Sequence, residues 1–219
     1  MRRLLLVGLV AFGFSASLFG CASTAIALKE KMGYAKREQL VDRVKEARDE
    51  QTETKKQFES ALQQFLAVTG ATGGDLEAKY NKLKTEYESS ESQAQDVRGR
   101  IKDVENVADA LFVEWEAELA QYSTESMRAA SRRQLEDTKA QYQKLLSAMK
   151  AAEAKMSPVL VAFKDQVLFL KHNLNARAIA SLQTNVNQIQ GDVSRLVAEM
   201  EASINEANQF IEQMNTQAR

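Results

Sequence analysis

The sequence predicts an all-α protein, an elongated antiparallel coiled-coil bundle of about four long helices. Helix-breaking residues are scarce, because the 219-residue chain holds one Pro and nine Gly, and six of these glycines lie within residues 1–20 and 70–74. Turn residues are therefore too few for the short, regularly spaced strands of a β-rich domain. Charged residues make up 27% and aromatic residues 7% of the chain, which suits long solvated helices. Apolar residues also recur at alternating spacings of four and three, the pattern of a coiled-coil seam.

The first 20 residues have the pattern of a secretory signal peptide. Met1 to Arg3 is basic, Leu4 to Phe19 carries no charge, and Cys21 follows a small residue, as in such peptides. The uncharged run is shorter than the roughly 20 residues that a membrane-spanning helix needs. Leu-x-Gly-Cys resembles the lipobox of bacterial lipoproteins, which implies that Cys21 is acylated and that residues 21–27 form a tether. An ordinary signal peptide or an uncleaved anchor with an incidental cysteine is the alternative.

The first long helix is predicted over about residues 28–68. Its seam follows the alternation of four and three, although polar Gln51 and Thr54 occupy two positions in the middle. Residues 69–74 contain three glycines and end this helix. Gly70 suits a left-handed cap, the conformation in which many helices end.

The second helix is predicted over about residues 75–121, with Asp75 as its N-cap. Its alternation from Leu76 to Trp115 is the most regular in the sequence. The short connection from the first helix makes an antiparallel hairpin the default. Near residues 122–126, a stretch rich in Ser and Thr, the phase slips. This slip predicts a break and a new helix, while a discontinuity inside one continuous helix is the alternative.

The third and fourth helices are predicted over about residues 125–156 and 158–216. Ser157 is suited to be an N-cap and Pro158 to be the first residue of a helix, where its missing N–H costs nothing. Within the fourth helix, residues 170–186 carry steps of four, four, four and four. Such a stutter locally unwinds a left-handed supercoil.

Residues 158–180 depart most from plain heptads. Their apolar residues cover most of a helix circumference, which predicts either burial where the helices meet or an apolar surface for a protein partner or for self-association. Asp165 and His172 share a helix face, but no nucleophile is placed beside them. Polar groups that satisfy one another and set helix register are the preferred interpretation. The candidate interaction residues are Phe163, Asp165, Gln166, Phe169, Lys171, His172, Asn173 and Asn175.

Several kinds of site are not expected. One Cys and one His cannot form a disulfide or a Cys/His metal site within the chain. The sequence has no G-x-x-x-x-G-K-[ST] phosphate loop, and a net charge of −1 gives no footprint for nucleic acid. Arg128, Arg132 and Arg133 form a basic spot, interpreted as a solvated face, with anionic lipid or glycan binding as the alternative. We expect no metal, no cofactor, no small-molecule substrate and no catalytic activity.

The stretch from Phe163 to Ala176, FKDQVLFLKHNLNA, followed by Ile179 to Leu182, resembles the signature of the DUF2959 family. Members of this family are bacterial proteins of unknown function. The stretch from Arg128 to Arg133 and the lipobox-like start fit the same family. The resemblance covers nearly the whole chain after the leader and implies no established activity.

These patterns predict one elongated helical domain over residues 28–217, held on a membrane by lipid at Cys21. Ala22 follows the cysteine, and the resemblance to Gram-negative lipoproteins therefore implies sorting to the outer membrane, facing the periplasm. The expected function is that of a scaffold or binding protein of the bacterial cell envelope. The alternatives are a coiled-coil regulator of a cell-wall enzyme, an enzyme that uses the neighbourhood of Asp165 and His172, and a cytoplasmic DNA-associated coiled coil.

Overall fold

The structure, a computed structural model, describes residues 35–70 and 76–217. The part of the chain that it describes contains five helices and no strand, which confirms the predicted all-α fold. The helices are α1 Lys36–Thr69, α2 Leu76–Leu119, α3 Glu125–His172, α4 Ala176–Gln183 and α5 Val186–Thr216. The predictions for the leader, for Cys21 and for Asp75 lie outside the described residues.

The four long helices form an antiparallel bundle. Both α1 and α3 pack against α2 and α5, and the short α4 contacts α1 and α3. Contacts between α1 and α2 show the antiparallel direction: Glu46 accepts from Arg100 (3.0 Å), whereas Gln57, further along α1, donates to the Glu86 carboxylate (2.7 Å), which is earlier in α2. Each long helix thus buries one stripe of apolar side chains against two neighbours.

The predicted seams are the core of this bundle. On α1 every seam position from Leu40 to Phe65 is buried, and on α2 the same holds from Leu83 to Leu111. Exposed ion pairs between helices contribute little to stability in water. The free energy of folding therefore comes mainly from the buried seams. The largest fully buried side chains are Phe58, Phe65, Phe163, Leu40, Leu83, Leu145, Met149, Met156, Leu170, Leu182, Ile189 and Leu196.

Three polar side chains in this core have no hydrogen-bond partner among the described residues. Gln51 and Thr54 on α1 and Ser203 on α5 are all fully buried. Both amide atoms of Gln51 and the hydroxyl oxygens of Thr54 and Ser203 are unpaired. These side chains lie in the core because they occupy heptad positions of the seam. The seam is therefore regular in spacing but contains buried polar groups without hydrogen bonds.

Pro158 lies inside α3, so the predicted helix boundary at residues 156–158 is wrong. The apolar phase explains the difference, because Met156, Val159 and Phe163 continue the three-four spacing across the proline and are all buried. Pro158 itself is exposed. Packing on the inner face therefore outweighs the one backbone hydrogen bond that the proline removes. The predicted fourth helix is instead divided into the end of α3, then α4 and α5.

Two other helix ends differ from the predictions. The N–H of Gly70 donates to the carbonyl of Leu66 (2.9 Å), and Gly70 has φ −84°. The backbone is therefore right-handed there, and the predicted left-handed cap is wrong. The break before Glu125 is confirmed, although α2 ends at Leu119 rather than at residue 121.

Different hydrogen bonds connect the helices at the two ends of the bundle. At the proximal end, where α1 begins, Arg37 donates to the carbonyl of Met214 (3.1 Å) and to the side chain of Gln217 (2.8 Å). Burial lowers the pKa of the Arg37 guanidinium. At the distal end, where α1 finishes, Gln183 of α4 donates to the carbonyl of Thr69 (3.0 Å). Residues 158–183 lie at this distal end.

Candidate interaction surface

The C-terminal third of α3 carries the candidate segment, and its inner face is fixed in the core. Phe163 is fully buried and packs edge-to-face on Phe65 of α1, with ring centroids 6.4 Å apart. Such aromatic pairs add to the stabilisation from burial alone. Val159, Val167 and Leu170 are buried on the same face. Phe163, one of the predicted interaction residues, is therefore a core residue.

The outer face of the same segment and the residues just after it expose large apolar side chains. Six such side chains are exposed in the described part of the chain, and four of them fall here: Val161 (59% exposed), Leu168 (51%), Phe169 (41%) and Leu174 (38%). We call these four residues the distal patch. The prediction of burial on several sides is wrong for them. The core needs only one stripe of α3, so Val161, Leu168 and Phe169, which are out of phase with that stripe, face solvent. Leu174 lies just beyond the end of α3 at His172.

Charged side chains surround the distal patch. Lys164, Asp165, Lys171, His172 and Arg177 are all exposed. Within residues 158–183, three of these are basic at neutral pH and one is acidic, a net charge of +2 with His172 neutral.

The described structure assigns no ion pair to Lys164, Lys171 or Arg177. By contrast, Arg98 pairs with Glu153 earlier on α3 (3.2 Å). The distal patch is therefore bordered by three cationic side chains that form no ion pair within the described structure.

Three of the six polar predicted residues form local hydrogen bonds that stabilise the fold. Gln166 is buried, and its side-chain oxygen accepts a hydrogen bond from Asn185 (3.3 Å). The Asn173 side chain donates to the carbonyl of Phe169 (2.9 Å) at the end of α3. The Asn175 side chain accepts from the N–H of Ala178 (3.0 Å) and caps α4. These asparagines explain why α3 ends here, because they satisfy backbone groups at a helix end and a helix start.

The eight predicted residues thus divide into separate groups. Asp165, Phe169, Lys171 and His172 reach the outer surface of α3, whereas Phe163 and Gln166 point inward. Val161 and Leu168 were not among the eight. The sequence could have indicated them, because they lie seven residues apart on a helix stripe that is out of phase with the buried one.

The described residues contain no arrangement typical of metal or acid–base chemistry at this segment. Asp165 and His172 form no ion pair or hydrogen bond with each other. Across residues 35–70 and 76–217, no group of three or more His, Cys, Asp or Glu side chains could hold a metal ion. Among the described helices, none combines the length and the hydropathy of a membrane-spanning segment.

The predicted basic spot lies at the turn between α2 and α3. Arg128 pairs with Glu125 (2.9 Å) and donates to the carbonyl of Tyr122 (2.7 Å), which stabilises the turn. Arg132 and Arg133 are exposed. Arg128 is therefore explained by local structure.

One comparison with known proteins gave a match. The model of the family described as "Protein of unknown function (DUF2959)" matches residues 26–214. No curated protein and no solved structure matches the chain.

Proposed function

Because the chain belongs to the DUF2959 family, whose function is unknown, we propose a function from its own geometry. In this proposal the protein is a lipid-anchored, periplasm-facing scaffold or binding protein of the bacterial cell envelope. The bundle holds a protein-binding surface away from the membrane, and the distal patch is that surface. The protein acts by binding and has no catalytic activity of its own.

The single observation that carries this proposal is where the exposed apolar side chains lie. Four of the six in the described chain are gathered on residues 161–174, and a concentrated apolar surface on a helical protein typically marks an interaction site. Val113 on α2 and Met127 on α3 are the other two.

The separation between the two ends of the bundle supports the role of a spacer. Cys21 precedes α1 in the sequence, and α1 begins at Lys36 at the proximal end. Helix α1 has 34 residues, which corresponds to roughly 50 Å at 1.5 Å per residue. Phe65 near its other end contacts Phe163 beneath the distal patch. We therefore propose that the proximal end faces the membrane and that the distal patch is presented at the other end.

The binding role is tested by site-specific photo-crosslinking in intact bacteria. A photoreactive amino acid replaces Leu168 in one strain and Val113 in the control strain, because both residues are exposed apolar side chains. The expected result is a discrete protein adduct at Leu168 and none at Val113. Equal adducts at both positions, or none at either, would contradict the proposed role of the distal patch.

The anchor is tested separately with labelled palmitate. Incorporation into the wild-type chain and its loss in Cys21→Ser are expected, together with release of the variant from the membrane fraction. Label that persists in Cys21→Ser would refute the lipid anchor, whatever the crosslinking result.

A further inference from the structure

We propose that the partner of the distal patch is an acidic amphipathic helix of another protein. This inference rests on the proposed function, because it names the chemistry of the partner that binds there. It follows from the angular arrangement of side chains on α3 and from charge that the bundle leaves unpaired.

Helix α3 carries a second seam on its outer side. Val161, Asp165, Leu168 and His172 follow one another at spacings of four, three and four. At about 100° per residue, this stripe lies on the side of the helix opposite Phe163. All four of its members are exposed, whereas the inner seam is covered by α2 and α5. In a coiled coil another helix covers the apolar positions of such a four-three stripe, which here are Val161 and Leu168.

One flank of this outer stripe is basic. Lys164 and Lys171 are seven residues apart and lie on the same side of it, while Phe169 lies on the other side. Neither lysine has an ion pair in the described structure. Lys171 also lies in the last turn of α3, where a cation interacts favourably with the helix dipole. Lys164 is about two turns earlier and has no such role. Flanking lysines of a helical seam select acidic residues on the helix that pairs with it.

Asp165 argues against a lipid surface and, together with the two lysines, against a second copy. Its carboxylate lies within the outer stripe, between Val161 and Leu168, and burying a charge in hydrocarbon is costly. A parallel pair of copies would place the two Asp165 carboxylates together. An antiparallel pair would place the two basic flanks together. Both arrangements oppose like charges, so the surface discriminates against its own copy.

The test uses the full chain after the leader and two synthetic amphipathic peptides. Both peptides carry Leu at the seam positions, and one has Glu and the other Lys at the flanking positions. Binding is followed by fluorescence anisotropy of the labelled peptide. The acidic peptide is expected to bind at least about tenfold more tightly than the basic one.

Matched variants assign the binding to this surface. Leu168→Ser is expected to weaken binding of the acidic peptide about tenfold, whereas Val113→Ser is expected to leave it unchanged. The double variant Lys164→Glu, Lys171→Glu is expected to reverse the preference between the peptides. Lys144→Glu, at another exposed position on α3, is expected to preserve it. All of these positions are exposed, so circular dichroism is expected to show unchanged helicity.

Three results would overturn the inference. Equal binding of the two peptides would show that the flank selects no charge. Dimerisation in sedimentation, lost in Leu168→Ser, would make a second copy the occupant. Binding to phosphatidylglycerol vesicles without binding to the acidic peptide would make it a lipid surface. The crosslinking experiment at Leu168 separates this inference from the proposed function. If Leu168 gives an adduct but the two peptides bind equally, only this inference is refuted. If the acidic peptide binds but Leu168 gives no adduct in cells, the proposed function is refuted.

Discussion

Replacing Gln51 by Leu tests the description of the core most directly. Gln51 occupies a seam position in the middle of α1 and is fully buried. Neither its amide nitrogen nor its amide oxygen has a hydrogen-bond partner in the described structure. Leu has similar volume and no polar atoms, so Gln51→Leu removes two unpaired groups without opening a large cavity.

The expected gain follows from the cost of those groups. Leaving a buried polar group unpaired costs about 1–3 kcal/mol, because the group loses its bonds to water and gains none. We expect Gln51→Leu to raise the free energy of unfolding by about 2 kcal/mol. For a chain of this size, that corresponds to a rise in Tm of about 4–8 °C. Urea titration followed by circular dichroism measures the first quantity, and a thermal scan measures the second.

Gln57→Leu is the matched control on the same helix. Gln57 donates to the Glu86 carbonyl (3.1 Å) and to its carboxylate (2.7 Å), so the same change removes two hydrogen bonds that are made. It is expected to lower the free energy of unfolding by about 1–2 kcal/mol. A loss of stability in Gln51→Leu as large as in the control would refute the reasoning, since the Gln51 amide would then have partners in solution.

Three further predictions concern the bundle. Phe163→Ala is expected to cost about 3–5 kcal/mol, because it leaves a cavity beside Phe65, and urea unfolding measures it; a loss below about 1 kcal/mol would contradict full burial. Pro158→Ala is expected to stabilise α3 by about 2 kcal/mol, because it restores a backbone donor in a helix interior, and a loss in the same titration would contradict the position of Pro158 inside α3. Burial raises the pKa of Tyr142 above its ordinary value of 10 and that of Tyr87 to about 12; the unfolded chain therefore loses these protons first, and stability falls as pH rises above about 10. Tyr142→Phe is expected to shift alkaline unfolding, followed by circular dichroism, to higher pH, and an unchanged midpoint would contradict a raised pKa of Tyr142.

Much of the bundle could be predicted from the sequence because its signal is periodic. The seams from Leu40 to Phe65 and from Leu83 to Leu111 are buried as their spacing predicts. For these two seams, the spacing alone indicates which side of the helix is buried. The break before Glu125 was predictable for the same reason, since two seams with different phase cannot share one straight helix face.

Residues typical of helix ends predicted the helix boundaries less reliably than the heptad phase did. Ser157 and Pro158 are residues typical of a helix start. The buried residues on both sides of them nevertheless keep one heptad phase, and α3 therefore continues past Pro158. Gly70 permits a left-handed cap but does not require one, and its N–H is satisfied in the right-handed form. The predicted site was affected in the same way, since Phe163 and Gln166 belong to the core.

The sequence by itself determined the helical fold, the buried seams outside residues 158–174 and the family resemblance. The fold and the seams depend on spacing along the chain, which a helix converts directly into a face, whereas the resemblance depends on the residues of one motif. Only the tertiary structure decided which stripe of residues 158–174 is covered. Two neighbouring helices reach one side of α3 and leave the other open, and this choice divides Phe163 in the core from Leu168 on the surface. The sequence contains both apolar stripes, but burial depends on which neighbours are present.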